Sequence, residues 1–128
     1  MKRNIVTLFL ILAAAFGAWA GGKGAILTFD STEKDFGTIP AKGGAVTMTY
    51  DFTNTGTEPL VIVSVSNGGC GCTTPQYPKQ PIAPGKTGKI VIKFNPANRS
   101  GYTKRTVKVK SNAANGKVMK LSFDGTIY

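Results

Sequence analysis

Beyond residue 20 the apolar side chains recur at every second position rather than at helical spacing, and turn-forming residues interrupt the pattern at short intervals. A period of two sends alternate side chains to opposite faces of an extended chain, so such a segment buries apolar surface as strands of a sheet with one face covered. Val46, Met48, Tyr50 and Phe52 alternate with polar residues until Asn54-Thr55-Gly56, which specifies a long strand with one inward face. Ile90, Ile92 and Phe94 repeat the pattern with Lys89 and Lys93 outward, as do Val107 and Val109 with Lys108 and Lys110 outward. Asn115-Gly116, the strongest hairpin signal in the chain, leads to a last inward set of Met119, Leu121, Phe123 and Ile127. Shorter strands are expected from Ala25 to Phe29 and from Asp35 to Ile39.

Leu60 to Val65 is almost wholly apolar. That suits a central strand covered on both faces, or a strand whose outer face meets a partner. After it, Gly68-Gly69-Cys70-Gly71-Cys72 and the prolines at 75, 78, 81 and 84 predict a long surface connection without regular pairing, up to the tight turn at Pro84-Gly85. No helical period, internal repeat or linker interrupts the series. The expectation is an all-β chain: an immunoglobulin-like two-sheet β-sandwich of about seven strands.

Residues 1–20 follow a different pattern. Lys2 and Arg3 supply a positive start, Ile5 to Phe16 is apolar apart from Thr7, and Ala18-Trp19-Ala20 has the small-x-small form of a cleavage site. The expectation is a cleaved signal peptide at 1–20 and a single exported domain at 21–128, periplasmic or extracellular. The apolar run is short of the roughly 20 residues needed to cross a bilayer, and no transmembrane segment is expected after cleavage.

Charge divides the remaining chain. Without Lys2 and Arg3, fourteen Lys and Arg stand against six Asp and Glu, and from Pro59 to Phe123 there is no acid at all. Parity places Lys104, Lys108 and Lys110 on one outer face, and an immunoglobulin-like order sets Lys120 on the strand to one side and the Leu60–Val65 run on the other. We therefore expect a partner face built from Lys104, Lys108, Lys110 and Lys120 with Leu60 and Ile62. It would suit an envelope protein or an anionic envelope surface. Nucleic acid is not expected, because no aromatic stacking platform interleaves with the lysines. Outward lysines also keep strand edges soluble with no partner involved.

The run Cys70-Gly71-Cys72-Thr73-Thr74-Pro75, then Pro81-Ile82-Ala83-Pro84-Gly85-Lys86-Thr87-Gly88, Phe94-Asn95, Gly101, Ser111-Asn112 and Gly125 stand in an order that resembles a known family. Phe36-Gly37-Thr38-Ile39 and Phe52-Thr53-Asn54-Thr55-Gly56 fit the same pattern. The family is the exported bacterial domain-of-unknown-function family numbered fifteen seventy-three. The resemblance implies an immunoglobulin-like sandwich similar to Hydin-type and major sperm protein domains, and it implies no reaction.

Cys70 and Cys72 are the only cysteines, and four readings of the pair are open. Gly71 and the preceding glycines let the backbone bend enough for a local disulfide, worth only about 1.6 kcal/mol when the loop-entropy relation is extrapolated to so short a loop. A thiol-disulfide exchange site is the second reading, although no histidine is present and the nearest cation in sequence is Lys79. Copper or zinc binding is the third; two thiolates fall short of a structural zinc set, and Met48 and Met119 have inward parity. Two buried thiols acting as small apolar residues are the fourth. Without histidine, neither a Ser-His-Asp triad nor a His-based metal centre can be assembled. The sequence thus points to a non-catalytic interaction or structural module with no cofactor. The alternative is a small thiol-redox or copper-binding protein using Cys70 and Cys72.

Overall fold

The alternating segments form eight strands: β1 (Leu27–Phe29), β2 (Glu33–Ile39), β3 (Val46–Asn54), β4 (Ile62–Val65), β5 (Thr73–Gln76), β6 (Thr87–Phe94), β7 (Gly101–Ser111) and β8 (Val118–Ile127). This computed structural model describes residues 23–128, so the expected signal peptide and its cleavage site lie outside the described residues. The strands make two sheets of four, in the orders β1-β3-β6-β5 and β2-β8-β7-β4. Among the described residues there is no helix. All pairings are antiparallel except β2 with β8, which is parallel.

The two inward parities meet as the alternation requires. Tyr50, Phe52, Ile90, Ile92 and Phe94 of the first sheet and Val107, Val109, Leu121 and Phe123 of the second are at most 1% exposed. Burying each such side chain contributes about 1.5–3 kcal/mol, which is why the register cannot slip by one residue without exposing the whole set. Met119 sits at the margin of this core, partly buried. Phe36, Phe94 and Phe123 form a three-ring cluster, with centroids 5.5 Å apart for Phe36–Phe94 and 5.4 Å for Phe94–Phe123. Phe36 reaches it only because Gly125 has no side chain: a Cβ there would lie 2.3 Å from the Phe36 ring and 2.7 Å from the Gly37 carbonyl.

Asn54, at the end of β3, has no exposed surface and uses its full hydrogen-bonding capacity. Its Oδ1 accepts from the N–H groups of Ile26 (3.2 Å) and Gly56 (3.0 Å), and its Nδ2 donates to the carbonyls of Glu58 (2.7 Å) and Ile82 (2.9 Å). One side chain thereby joins the start of β1, the turn after β3 and the connection leading to β6. Between the sheets, the Tyr50 hydroxyl donates to the Ser122 carbonyl at 2.7 Å.

Two expectations need correction. The proline-rich stretch after Cys72 is not all unpaired, because Thr73–Gln76 forms β5 against β6. The Asn95 N–H donates to the Cys72 carbonyl; antiparallel alternation then turns the amides of Thr74 and Gln76 toward β6 and leaves the Pro75 nitrogen on the free edge. A proline costs no ladder bond there and blunts the edge. Secondly, β4 is an edge strand, not a central one. The hairpin signalled by Asn115-Gly116 does join β7 to β8, through the loop 112–117. The Asn115 side chain is occupied in bonding the Leu27 backbone at both its N–H (3.1 Å) and its carbonyl (3.0 Å).

Candidate functional site

The outer face of the β2-β8-β7-β4 sheet collects the basic residues expected from parity. Lys104, Lys108, Lys110 and Lys120 are all exposed. In the β7–β8 register Lys108 stands directly opposite Lys120, Lys104 opposite Asp124, and Lys110 opposite Val118. Like charges facing each other across an antiparallel pair are destabilising, by a few tenths to about 1 kcal/mol. At the far side of the same face β2 places Asp35 beside Asp124, and the Tyr102 hydroxyl donates to Asp124 Oδ2 at 2.9 Å. That hydrogen bond to the carboxylate holds the Tyr102 phenol above its ordinary range, with smaller effects of burial and of the Asp124 and Asp35 charges. The face is therefore divided, acidic toward β2 and basic toward β7 and β4.

Leu60 and Ile62 do not belong to it. They are 0% and 5% exposed and lie in the core. Leu60 is bridged to Ile82 through both backbone bonds, and a register shift between Ile62 and Ser64 buries Ile62 and Val65 while turning Val63 outward. The exposed aliphatic side chains are Val63 (62%), Val118 (51%) and, at the edge, Val61 (37%). Since Lys110 pairs with Ser64 on one side and Val118 on the other, an aliphatic and lysine patch runs across β4, β7 and β8. The run Leu60–Val65, apolar apart from Ser64, carries no parity signal, so the bulge that decides its faces could not be read from it.

Cys70 and Cys72 are joined by a disulfide, with Cα atoms 5.2 Å apart. Gly68, just ahead of the bridge, seats this loop on β7: it has φ of +69°, and a Cβ there would meet the Thr106 carbonyl at 2.7 Å. The loop is pinned by bonds from the Cys70 N–H to the Asn67 carbonyl and from the Thr73 N–H to the Cys70 carbonyl. Cys70 is 7% exposed, whereas Cys72 lines a groove of about 410 Å³ with Ala45, Gly71, Thr74, Gln76, Lys93 and Asn95. Arg99 Nη2 donates to Cys70 Sγ at 3.1 Å. This cation is 29 positions away in sequence and is delivered by the β6–β7 connection, where the Arg99 N–H bonds the Pro96 carbonyl and Asn98 takes a φ of +63°. Nothing in the linear spacing of Cys70 and Arg99 announces that contact. Among the described residues no three His, Cys, Asp or Glu side chains converge as metal ligands would.

Comparison with solved structures gives the same architecture. A protein of unknown function from Porphyromonas gingivalis W83 is similar with a TM-score of 0.67 at 17% identity, over 84% of this chain and 48% of that one. The VesB protease of Vibrio cholerae is similar at 0.64 and 15% identity over 78% of this chain. A PapD-like domain of human CEP192 is similar at 0.56 and 11% identity over 80% of this chain and 84% of that one. This chain spans about half of the first of these proteins and 31% of the second, and at such identities the likeness concerns the fold. No curated protein matches the sequence. The sequence does match, over residues 27–127, the family described as protein of unknown function, DUF1573.

Proposed function

The chain belongs to the DUF1573 family, and from that premise we propose that it is an exported, non-catalytic interaction module that binds an acidic, partly aliphatic protein surface of the cell envelope. The binding face is the outer side of β8, β7 and β4. Export is supported by the basic start, apolar run and Ala18-Trp19-Ala20 of the first twenty residues, and a disulfide suits an oxidising compartment. The absence of histidine from the sequence supports a binding role over hydrolytic chemistry.

The observation that carries the reading is the placement of Lys108 opposite Lys120 beside exposed Val63 and Val118. Solubility alone is served by scattered lysines. A like-charge pair flanked by bare aliphatic side chains costs the free domain stability and becomes favourable when acids and apolar groups cover it. Association of this kind weakens as salt screens the charges.

The test is capture of envelope proteins at low salt by the domain starting at Gly21, compared with Lys108→Glu, Lys110→Glu. The expected result is loss of capture with an equal or higher thermal midpoint, because Lys108→Glu turns a repulsive pair with Lys120 into an attractive one. Undiminished capture by the double variant refutes the assigned face. Binding to anionic lipid vesicles with no protein captured refutes the protein partner.

A further inference from the structure

The cysteine loop has a polarity that a purely structural bridge does not require. Two donors are aimed at Cys70 Sγ: the Cys72 N–H at 3.2 Å and Arg99 Nη2 at 3.1 Å. A disulfide sulfur is a weak, uncharged acceptor that gives a guanidinium little to bind. A thiolate at the same place would take both bonds as charge-assisted ones. Cys72 has the opposite surroundings. It lines the open groove with Lys93 and Asn95, and its Sγ lies 3.6 Å from the Thr73 hydroxyl. Cys70 is therefore buried with its sulfur supplied with donors, whereas Cys72 is half-buried and lines a groove into which a second molecule can come.

We propose that Cys70–Cys72 is an exchange-competent disulfide of fixed direction, with Cys72 as the sulfur attacked and Cys70 as the leaving group. A thiolate of a peptide or of a small thiol enters the groove, drawn by Lys93, and gives its electron pair to Cys72 Sγ. The Cys70–Cys72 bond breaks and its electron pair goes to Cys70. A mixed disulfide forms between the incoming sulfur and Cys72, and the negative charge passes from the incoming sulfur to Cys70. No proton is required. Arg99 is a positioning and charge-stabilising residue: it lowers the basicity of the departing Cys70 thiolate, and a less basic leaving thiol departs faster.

The local frame fixes Arg99 for this role. The Asn95 N–H holds the Cys72 carbonyl at 2.8 Å, the Asn95 side chain accepts the Ala97 N–H at 3.1 Å, and the turn through Asn98 follows directly. The same short connection thus grips one cysteine by its backbone and the other by its sulfur. The groove opens on the β1-β3-β6-β5 sheet, away from the lysine face, so this inference uses none of the residues of the binding reading.

The probes are glutathione and a short peptide with one central cysteine, each mixed with the oxidised domain, quenched with acid and read by intact mass and peptide mapping. The expected product is a single adduct on Cys72 with Cys70 free, formed about threefold or more slowly by Arg99→Gln and partly restored by Arg99→Lys. Reaction with glutathione alone makes the ligand a small thiol, and faster reaction with the peptide makes it a protein cysteine. Cys72→Ser gives an independent reading: alkylation of its remaining Cys70 thiol should follow a pH profile lying below that of an isolated cysteine, and should move upward when Arg99→Gln is added. An adduct on Cys70, or rates and profiles indifferent to Arg99→Gln in a variant of unchanged circular dichroism, overturns the proposal.

Discussion

Replacing Asn54 by aspartate tests whether one buried amide holds the end of β3, the start of β1 and the chain near Ile82 together. Asn54→Asp keeps the shape and both Oδ1 bonds, to Ile26 and Gly56, but turns a double donor into an acceptor. The Ile82 carbonyl keeps its bond from the Leu60 N–H, while the Glu58 carbonyl loses the 2.7 Å bond from Nδ2. At neutral pH an ionised carboxylate with no exposed surface would face two carbonyl oxygens. Leaving a buried charge uncompensated costs about 3–5 kcal/mol, a large part of the roughly 5–15 kcal/mol that stabilises such a domain.

Acid should restore much of this, because the protonated carboxyl can donate to one carbonyl and the residual loss falls to about 1–2 kcal/mol. The sign follows from linkage. The introduced carboxyl has a folded pKa raised above its unfolded value of about 3.9, so between the two values the folded state holds the extra proton and stability falls as pH rises. Urea unfolding of the variant, followed by far-ultraviolet circular dichroism, should therefore show it more stable at pH 4.5 than at pH 8 relative to the parent. A loss below about 1 kcal/mol with no pH dependence would show that the Asn54 bonds do not carry the junction.

Phe94→Ala or Phe123→Ala should each cost about 3–5 kcal/mol in the same unfolding assay, since both rings are buried and packed in the cluster with Phe36. Burial holds the Tyr50 phenol well above its ordinary value of 10. The unfolded chain ionises first, so stability should fall as pH rises above about 10, and Tyr50→Phe should flatten that fall in an alkaline titration of the thermal midpoint. Arg105 shares the inward parity of Val107 and its buried Nε has no hydrogen-bond partner; Arg105→Met should raise the thermal midpoint or leave it unchanged. Reducing Cys70–Cys72 should cost less than about 2 kcal/mol, because so short a loop restricts the unfolded chain little, as equilibrium unfolding with and without reductant will measure.

The long strands were legible because each has one covered face, and the alternation Met48, Tyr50, Phe52 or Ile90, Ile92, Phe94 leaves a single burial solution. The neighbours of β7 followed from the immunoglobulin-like order, and the lysines of its outer face from parity. What was not legible lacks that constraint. Leu60–Val65 has apolar residues on both parities, so the bulge at Val63 and the exposure of Val118 across β7 from it emerge only when the sheet is assembled. Thr73–Gln76 looks like loop because Pro75 breaks strand patterns, yet it is an edge strand whose proline nitrogen needs no partner. The parallel pairing of β2 with β8 depends on a bulge at Gly37 and the bare Cα of Gly125. Arg99 meets Cys70 through a loop closure spanning a sheet, which local spacing does not encode.

A partner bound as proposed covers the outer face of β8, β7 and β4. Acetylation footprinting reads it directly, by comparing lysine modification in the free domain and in the domain bound from envelope extract. Lys104, Lys108, Lys110 and Lys120 should be protected in the complex, with Lys89 and Lys93 on the opposite sheet modified as in the free domain. Protection of Lys89 and Lys93 with Lys108 and Lys120 still reactive would place the partner on the other side of the sandwich and contradict the proposal.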